Sequence, residues 1–340
     1  MSAPLRVAVA GAGVFGLASA LALVRAGAQV TLHDPGPLAG NASAVAAGML
    51  APMSEALTDP AAAGHLDLLQ AALALWPSFA ERYGLDLDRT GARLLGDEAR
   101  LSALSASAQA LGITAPYQEI GSLPSLAGGY GSAIAGGLDI AGDWRIDAAA
   151  LLRLGAVAEG LGVTRRPGPP SPADHDVLVV ATGPSLDFLN AAPELARLTP
   201  IRGHILRYPS MNYEGPVLRG PGAYAVPSAQ GLLVGATMEP GQGQAVVDPE
   251  IAAGLAAQAQ DVFPGLAQQS WSAAVGVRAA TPDGLPLVGV SARPGVILAS
   301  GARRNGWLLA PLVGEVVAAC AFDRDPGPWG ARLAPTRDLG

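Results

Sequence analysis

The chain has 340 residues, 50% of them hydrophobic, 14% charged and only 5% aromatic, with a mean hydropathy of +0.33. That length suits two ordinary domains or one domain with a large insertion, and the apolar content excludes a disordered chain. Twenty-one basic against 28 acidic residues give a net charge of −7, which excludes nucleic acid as an expected partner, while a single cysteine, Cys320, and four scattered histidines exclude a disulfide framework and leave no expected metal site.

Val7 to Val24 is an uncharged run of 18 residues between Arg6 and Arg25. By length alone it suits a short membrane span or a signal peptide. Gly11, Gly13 and Gly16 break it. Leu5 to Ala10 then reads as a short buried strand, Leu17 to Ala26 as an Ala/Leu-rich helix ended by Gly27, and Gln29 to His33 as a second strand. No targeting segment and no membrane span remain, and a cytoplasmic protein is expected.

Between the first strand and the helix, Gly11-Ala12-Gly13-Val14-Phe15-Gly16 is a G-x-G-x-x-G, and Asp34 closes the second strand 23 residues after Gly11. This is the context that a dinucleotide fingerprint requires. Gly11 makes the tight turn, Gly13 lets the backbone approach a pyrophosphate, and Gly16 lets the helix pack on the strand. The helix N-terminus offers N–H groups and partial positive charge to the phosphates. Asp34 is placed to accept ribose hydroxyls. The fingerprint indicates an adenine dinucleotide and leaves nicotinamide and flavin both open.

The next segment, Gly40 to Pro52, contains A-A-G-M-L-A-P and is built of small residues that can lie flat against a planar ligand, with Ser43 available for hydrogen bonds. Near the other end stand R-A-A-T-P-D-G-L-P, from Arg278 to Pro286, and R-N-G-W-L-L-A-P, from Arg304 to Pro311. The latter follows the strand Val296 to Ser300 and a glycine-rich loop, and opens a final helix to about Phe322. Between these blocks lie P-I-R-G-H (Pro200 to His204), Y-A-V-P (Tyr224 to Pro227), G-A-T-M-E (Gly235 to Glu239) and a strand ending in A-T-G (Val177 to Gly183).

Together these blocks resemble the D-amino acid oxidase superfamily of FAD enzymes, and within it the glycine oxidases, over about residues 5 to 320. The resemblance implies an α/β protein in which a Rossmann-type FAD-binding domain is interleaved with an antiparallel-sheet α+β substrate domain. It places Val14 and Phe15 beside the FAD pyrophosphate, and Asp34 and Pro35 near the adenosine ribose. Ala42, Ser43, Ala47, Gly48 and Met49 would line the pyrophosphate and flavin. The run Ala302, Arg303, Arg304, Asn305, Gly306, Trp307 and Leu308 would wrap the pyrimidine end of the flavin. Arg278 matches the arginine that holds the substrate carboxylate, and Tyr224, Arg304 and Met238 match further residues of that pocket. The chain departs from the family at Ala302, where a histidine is common, at Ala279 after the carboxylate arginine, at Pro184 after A-T-G, and in a short 161–176 stretch.

The expected activity is oxidation of a small amino acid: glycine first, then sarcosine or small D-amino acids. Hydride passes from Cα to flavin N5, and the products are an imino acid, then a 2-oxo acid, ammonia and H2O2. The partners are that amino acid and O2. A role in thiamine (thiazole) biosynthesis is implied by the resemblance alone. A planar guanidinium suits this work because two parallel hydrogen bonds fix a carboxylate in orientation as well as position. No side-chain acid or base is expected, since none of the matched substrate-pocket residues, Arg278, Arg304, Tyr224 and Met238, is a His, Asp or Glu. FAD is expected to be non-covalent, because Cys320 lies 14 residues beyond Gly306, about 21 Å along a helix.

The FAD domain is expected at 1–80, 142–199 and 272–325, with Asp147 capping a helix, and the substrate domain at 81–141 and 200–271. That second domain should hold strands near 201–207, 223–227 and 231–236 and a helix from Pro249 to Phe263. A tail, 326–340, should strap the surface. A dehydrogenase with a non-oxygen acceptor and a flavin-binding subunit of a heteromeric amine oxidase stand as alternatives. A homo-oligomer is left open.

Overall fold

The strand Arg6–Ala10 has four of its five residues buried, as a strand covered on both faces requires. It lies at the middle of a six-stranded sheet in the order Leu287–Val290, Val296–Ser300, Val177–Val180, Arg6–Ala10, Gln29–His33, Thr164–Arg166. All pairings are parallel except that between Leu287–Val290 and Val296–Ser300. The computed structural model describes residues 3–122, 126 and 128–339. Parts of the stretches expected at 1–80, 81–141 and 326–340 therefore fall outside the described residues.

The first helix, Val14–Arg25, is buried from Val14 to Leu23. Its small residues allow this: Gly314 of the helix Gly306–Ala321 has room for no side chain, since a Cβ there would fall 2.7 Å from the Ala18 carbonyl oxygen. The two helices thus cross at backbone distance over the central sheet. The chain turns in opposite directions from Arg6–Ala10, to Gln29–His33 on one side and Val177–Val180 on the other. The carboxyl ends of the strands therefore open a crevice at Gly11, where open α/β sheets bind ligands.

A second, largely antiparallel sheet of nine strands carries the order Glu239–Pro240, Thr199–Tyr208, Gly231–Gly235, Tyr224–Ser228, Val217–Arg219, Ala92–Gly96, Gly136–Ile140, Tyr117–Glu119. Ser272–Ala280 pairs with Thr199–Tyr208 along its length, from Thr199↔Ala280 to Arg207↔Ser272. The helix Pro249–Val262, capped by Asp248, lays Leu255, Ala259 and Val262 on a separate apolar cluster under this sheet. Met49–Leu50, Trp144–Ile146 and Leu87–Asp88 form a three-stranded link between the halves.

Both expected folding units are present, an α/β unit with a parallel sheet and an α+β unit with an antiparallel one. One boundary differs from the reading by chain order. Ser272–Ala280 belongs by hydrogen bonding to the second sheet, so we propose that the substrate domain reach Ala280 and the FAD domain resume beyond it. The helix after Trp144–Ile146 begins at Ala150. Asp147 accepts from Ala149 N in the turn before it (2.8 Å). The tail is anchored rather than draped. Leu333 is fully buried in the main core, and Arg337 donates to Asp283 and to the Leu285 and Pro286 carbonyls. Among the described residues no helix is long and apolar enough to cross a membrane, and no cluster of three metal-ligating side chains occurs.

Candidate active site

A cavity of about 1110 Å³ runs from the crevice at Gly11 to the face of the second sheet. That is above the roughly 300–1,000 Å³ of a typical small-ligand pocket. At its first end, Gly11 has φ +99°, and a Cβ on it would fall 2.4 Å from the Ala181 carbonyl oxygen. Asp34 holds the loop, with Oδ2 accepting from Ala12 N (2.7 Å) and Oδ1 from Gly36 N (2.9 Å). Each carboxylate oxygen keeps a further lone pair for a hydroxyl. Pro35 lines the wall beside it.

The segment after Asp34 is tied to the fingerprint loop by its own side chains. Asn41 caps the short helix Ala42–Val45, accepting from Ser43 N and Ala44 N, and donates to the Ala12 carbonyl. Ser43 Oγ accepts from Val14 N (3.0 Å), and Trp307 Nε1 donates to the Ser43 carbonyl (3.0 Å). The two ends of the chain therefore meet at Ser43. Gly48, at φ +69°, lies so close to the Ile146 carbonyl that no Cβ fits. Val14, Phe15, Ala42, Ala47, Met49 and the run Ala302–Trp307 all line the cavity with Gly11, Gly13, Ser43 and Gly48.

Two residues from the sequence reading lie behind the wall. Gly16 packs the helix on the loop, since a Cβ there would meet the Gly11 carbonyl oxygen at 1.8 Å. Leu308 is fully buried in the core, and its carbonyl accepts from Trp76 Nε1 (3.0 Å). The helix starts at Gly306, so one residue past Trp307 the side chain turns inward. Cys320, near the far end of that helix, is not among the lining residues.

The other end of the cavity is floored by one face of the second sheet. Register puts Arg278 opposite Ile201, Gly276 opposite Gly203, Ile205 opposite Gly235, Gly235 opposite Tyr224, and Tyr224 opposite Arg219. Directly paired residues share a face, and residues two apart return to it. Arg278, Tyr224 and Arg219 thus rise from one surface, with Gly203, Gly235 and Gly276 leaving it bare between them. The Tyr224 hydroxyl lies over Gly235, where a Cβ would fall 2.3 Å from it. Met238 lines the rim and is 38% exposed.

Arg278 donates to the Thr237 carbonyl (3.0 Å) and, among the described residues, pairs with no carboxylate. Burial pushes its guanidinium below the ordinary pKa. Tyr224 opposes that shift, while Arg304 and Arg303 reinforce it. Burial likewise raises the Tyr224 phenol, against the pull of Arg278, Arg304 and Arg219. A group desolvated and crowded by like charge in this way is stabilised by an incoming anion.

Glu55 and Arg219 are among the wall residues that were not legible in the sequence. Glu55, on the helix Pro52–Thr58, accepts from Arg219 Nη2 (2.7 Å) and from Arg304 Nη2 (3.1 Å). It is 4% exposed and Arg219 6%, and both line the cavity. Arg303 pairs with Asp59, at the end of the same helix. The carboxylates within the matched motifs, Glu239 and Asp283, do not line the cavity. The fold supplies one from outside them, and it is already engaged by two guanidiniums.

The site's shape fits an FAD. A glycine cradle that a Cβ would fill stands at one end. A strip of small residues runs along the middle, and a bare sheet face carrying the Arg278 guanidinium closes the other.

Comparison with known proteins agrees with the geometry. The sequence profile of the family described as "FAD dependent oxidoreductase" matches residues 6–320. Glycine oxidase of Geobacillus kaustophilus (strain HTA426) is 30% identical over 380 aligned positions, covering 98% of this chain and 97% of that protein. The bifunctional protein ThiO/ThiG of Nostoc sp. (strain PCC 7120) is 32% identical over 362 positions, covering 95% of this chain and 53% of that longer protein. Among solved structures, glycine oxidase from Geobacillus kaustophilus superposes with a TM-score of 0.84 at 26% identity, over 99% of this chain and 100% of that one.

Proposed function

The chain belongs to the FAD-dependent oxidoreductase family, and from that premise we propose that it oxidises a small amino acid at the carbon bearing the amine. Glycine is the first substrate to test, with sarcosine and small D-amino acids beside it. The observation that carries this reading is Arg278: a half-buried guanidinium on the cavity wall that pairs with no carboxylate among the described residues. A role in thiamine (thiazole) biosynthesis goes with the reading, supported by the similarity to glycine oxidase and ThiO/ThiG.

Gly11, Gly13 and the first turn of Val14–Arg25 would hold the pyrophosphate, and Asp34 the ribose. Ala42 to Met49 and Ala302 to Trp307 would enclose the ring system. Bound FAD supplies the two-electron acceptor for the Cα–H pair and, with O2, yields H2O2. Arg278 would take the substrate carboxylate in two parallel hydrogen bonds, and the Tyr224 hydroxyl would close over it. This anchoring fixes which Cα–H faces the acceptor. Glu55 holds Arg304 and Arg219 at the wall and leaves the substrate nitrogen to lose its proton to water. The imino acid then hydrolyses to a 2-oxo acid and ammonia. FAD is held without a covalent bond in this reading, since Cys320 stands away from the cavity.

Purified protein should show a flavin spectrum that bleaches on anaerobic addition of glycine, sarcosine or D-alanine. Air should restore it with release of H2O2. Bleaching with no peroxide on aeration would make the protein a dehydrogenase. No bleaching by any small amino acid would remove the enzyme reading.

A further inference from the structure

Two of the sequence blocks, P-I-R-G-H and G-A-T-M-E, face each other across a strand pair, and most of their polar side chains stand outside the cavity. His204 is fully buried, and Arg202 and Glu239 are mostly so. Glu239 has both carboxylate oxygens occupied. Oε2 accepts from Arg202 Nη2 (2.6 Å) and Nε (2.9 Å), and Oε1 accepts from the Thr237 hydroxyl (2.8 Å). Burial alone would raise its pKa, but hydrogen bonds from Arg202, Thr237 and His204 prevail and hold it below the ordinary value.

His204 completes the set. Its Nε2 accepts from Asp248 N (2.9 Å), so Nδ1 is the nitrogen that carries the hydrogen, and it faces Glu239 Oε1 at 2.9 Å. The His204 backbone N–H donates to Thr237 Oγ1 (2.9 Å), and its carbonyl accepts from Thr237 N (3.3 Å). Thr237 is therefore gripped through its amide and its hydroxyl. The one polar group this grip leaves over is its carbonyl, and Arg278 Nη2 donates to that carbonyl at 3.0 Å. The guanidinium lies over Gly203, where a Cβ would fall 2.1 Å from Nη2.

We propose that Thr237, backed by His204 and Glu239, is a positioning residue. It sets the Arg278 guanidinium and, through it, where a substrate carboxylate sits. The proposal rests on the reading of Arg278 as the carboxylate anchor. A guanidinium on a four-bond stem, with no acid among the described residues to hold it, would otherwise sample several rotamers in an open cavity. The Thr237 carbonyl takes one of its five N–H groups and leaves the rest for the ligand.

The test uses the FAD-loaded full chain and two carboxylates: glycine, read by KM and kcat, and acetate, read as a Kd from the perturbed flavin spectrum. Thr237→Val removes the hydroxyl while keeping the shape, and Thr237→Ser restores the hydroxyl. Thr237→Val should raise the glycine KM and the acetate Kd together, by about ten- to hundredfold, with a smaller change in kcat. Thr237→Ser should stay within about threefold of the parent. In an Arg278→Ala background, Thr237→Val should have no further effect on acetate, because its influence passes through the missing guanidinium. A role in stability alone would lower Tm and leave the acetate Kd of the folded, loaded fraction unchanged, and that result overturns the proposal. So does an equal loss with Val in the Arg278→Ala background. If the parent oxidises no small amino acid, the acetate series still decides the role of Thr237, so the two failures are separable.

Discussion

At the scale of single residues, Arg278 offers a sharp separation of charge from geometry. Arg278→Lys keeps the positive charge in the cavity but presents a point charge in place of two parallel donors. It also shortens the reach to the Thr237 carbonyl. The expected outcome is a fall of about a hundredfold in kcat/KM for glycine, with KM and kcat both affected, and a Tm close to that of the parent. Steady-state kinetics beside a melting curve checks it, and parental kinetics in the lysine variant would remove the carboxylate role. Arg278 itself was legible because a lone arginine in a buried strand needs a partner, and the motif around it is local in sequence. The turn at Gly11 was legible for the same reason, since a tight turn with positive φ is a local event. Glu55 and Arg219 were not. Their meeting depends on the register of Val217–Arg219 against Tyr224–Ser228 and on the packing of a helix 164 residues earlier against that edge. No spacing within the chain records either.

At the scale of elements, the helix Pro52–Thr58 shows how a short segment is held where chemistry needs it. Seven residues with proline at the first position make a weak helix alone. Its two leading amides are satisfied from a distance: Asp143 accepts from Met53 N and Ser54 N, each at 3.0 Å. Asp143 is 1% exposed, and burial pushes its pKa up to about 6 despite the Ser54 and Met53 hydrogen bonds and the charge of Arg219. The folded chain therefore keeps a proton that the unfolded chain releases near its ordinary value of 3.8. Protonated Asp143 stabilises the fold at acid pH. That contribution, about 3 kcal/mol, is fully present below about pH 4 and lost as pH rises to about 6. Asp143→Asn does not titrate and keeps one acceptor. Its Tm relative to the parent should therefore climb between pH 4 and pH 6.5, and a constant difference across that range would refute the assignment. Chain order also misled at this scale. Ser272–Ala280 sits beside Leu287–Val290 in sequence, which suggests one sheet. Its alternation, with Gly276 and Arg278 on one face, instead matches Gly203 and Ile201 some 70 residues away.

At the scale of the whole molecule, the cavity is enclosed by segments that lie far apart in the sequence. Its walls come from 10–58, Arg100, 167–188, 203–238 and 276–307, contributed by both sheets. Side-chain bridges among them include Trp307 to Ser43, Arg219 and Arg304 to Glu55, and Arg303 to Asp59. A ligand that fills about 1110 Å³ between two such halves does structural work, because it binds the assembled form and not the unfolded chain. At a hundredfold excess over its Kd, FAD should add about 2.7 kcal/mol to the stability of the fold. Protein stripped of flavin should therefore melt several degrees lower, and its Tm should climb with added FAD in proportion to the logarithm of concentration. Riboflavin lacks the pyrophosphate and the adenosine, so it forgoes the Gly11–Gly16 loop and Asp34 and should recover only a small part of the shift. Acid precipitation should leave all yellow colour in the supernatant, as a cofactor held by shape and hydrogen bonds requires. An apoprotein with the holoprotein's Tm, or a pellet that stays yellow, would show that the two halves are not held together in this way.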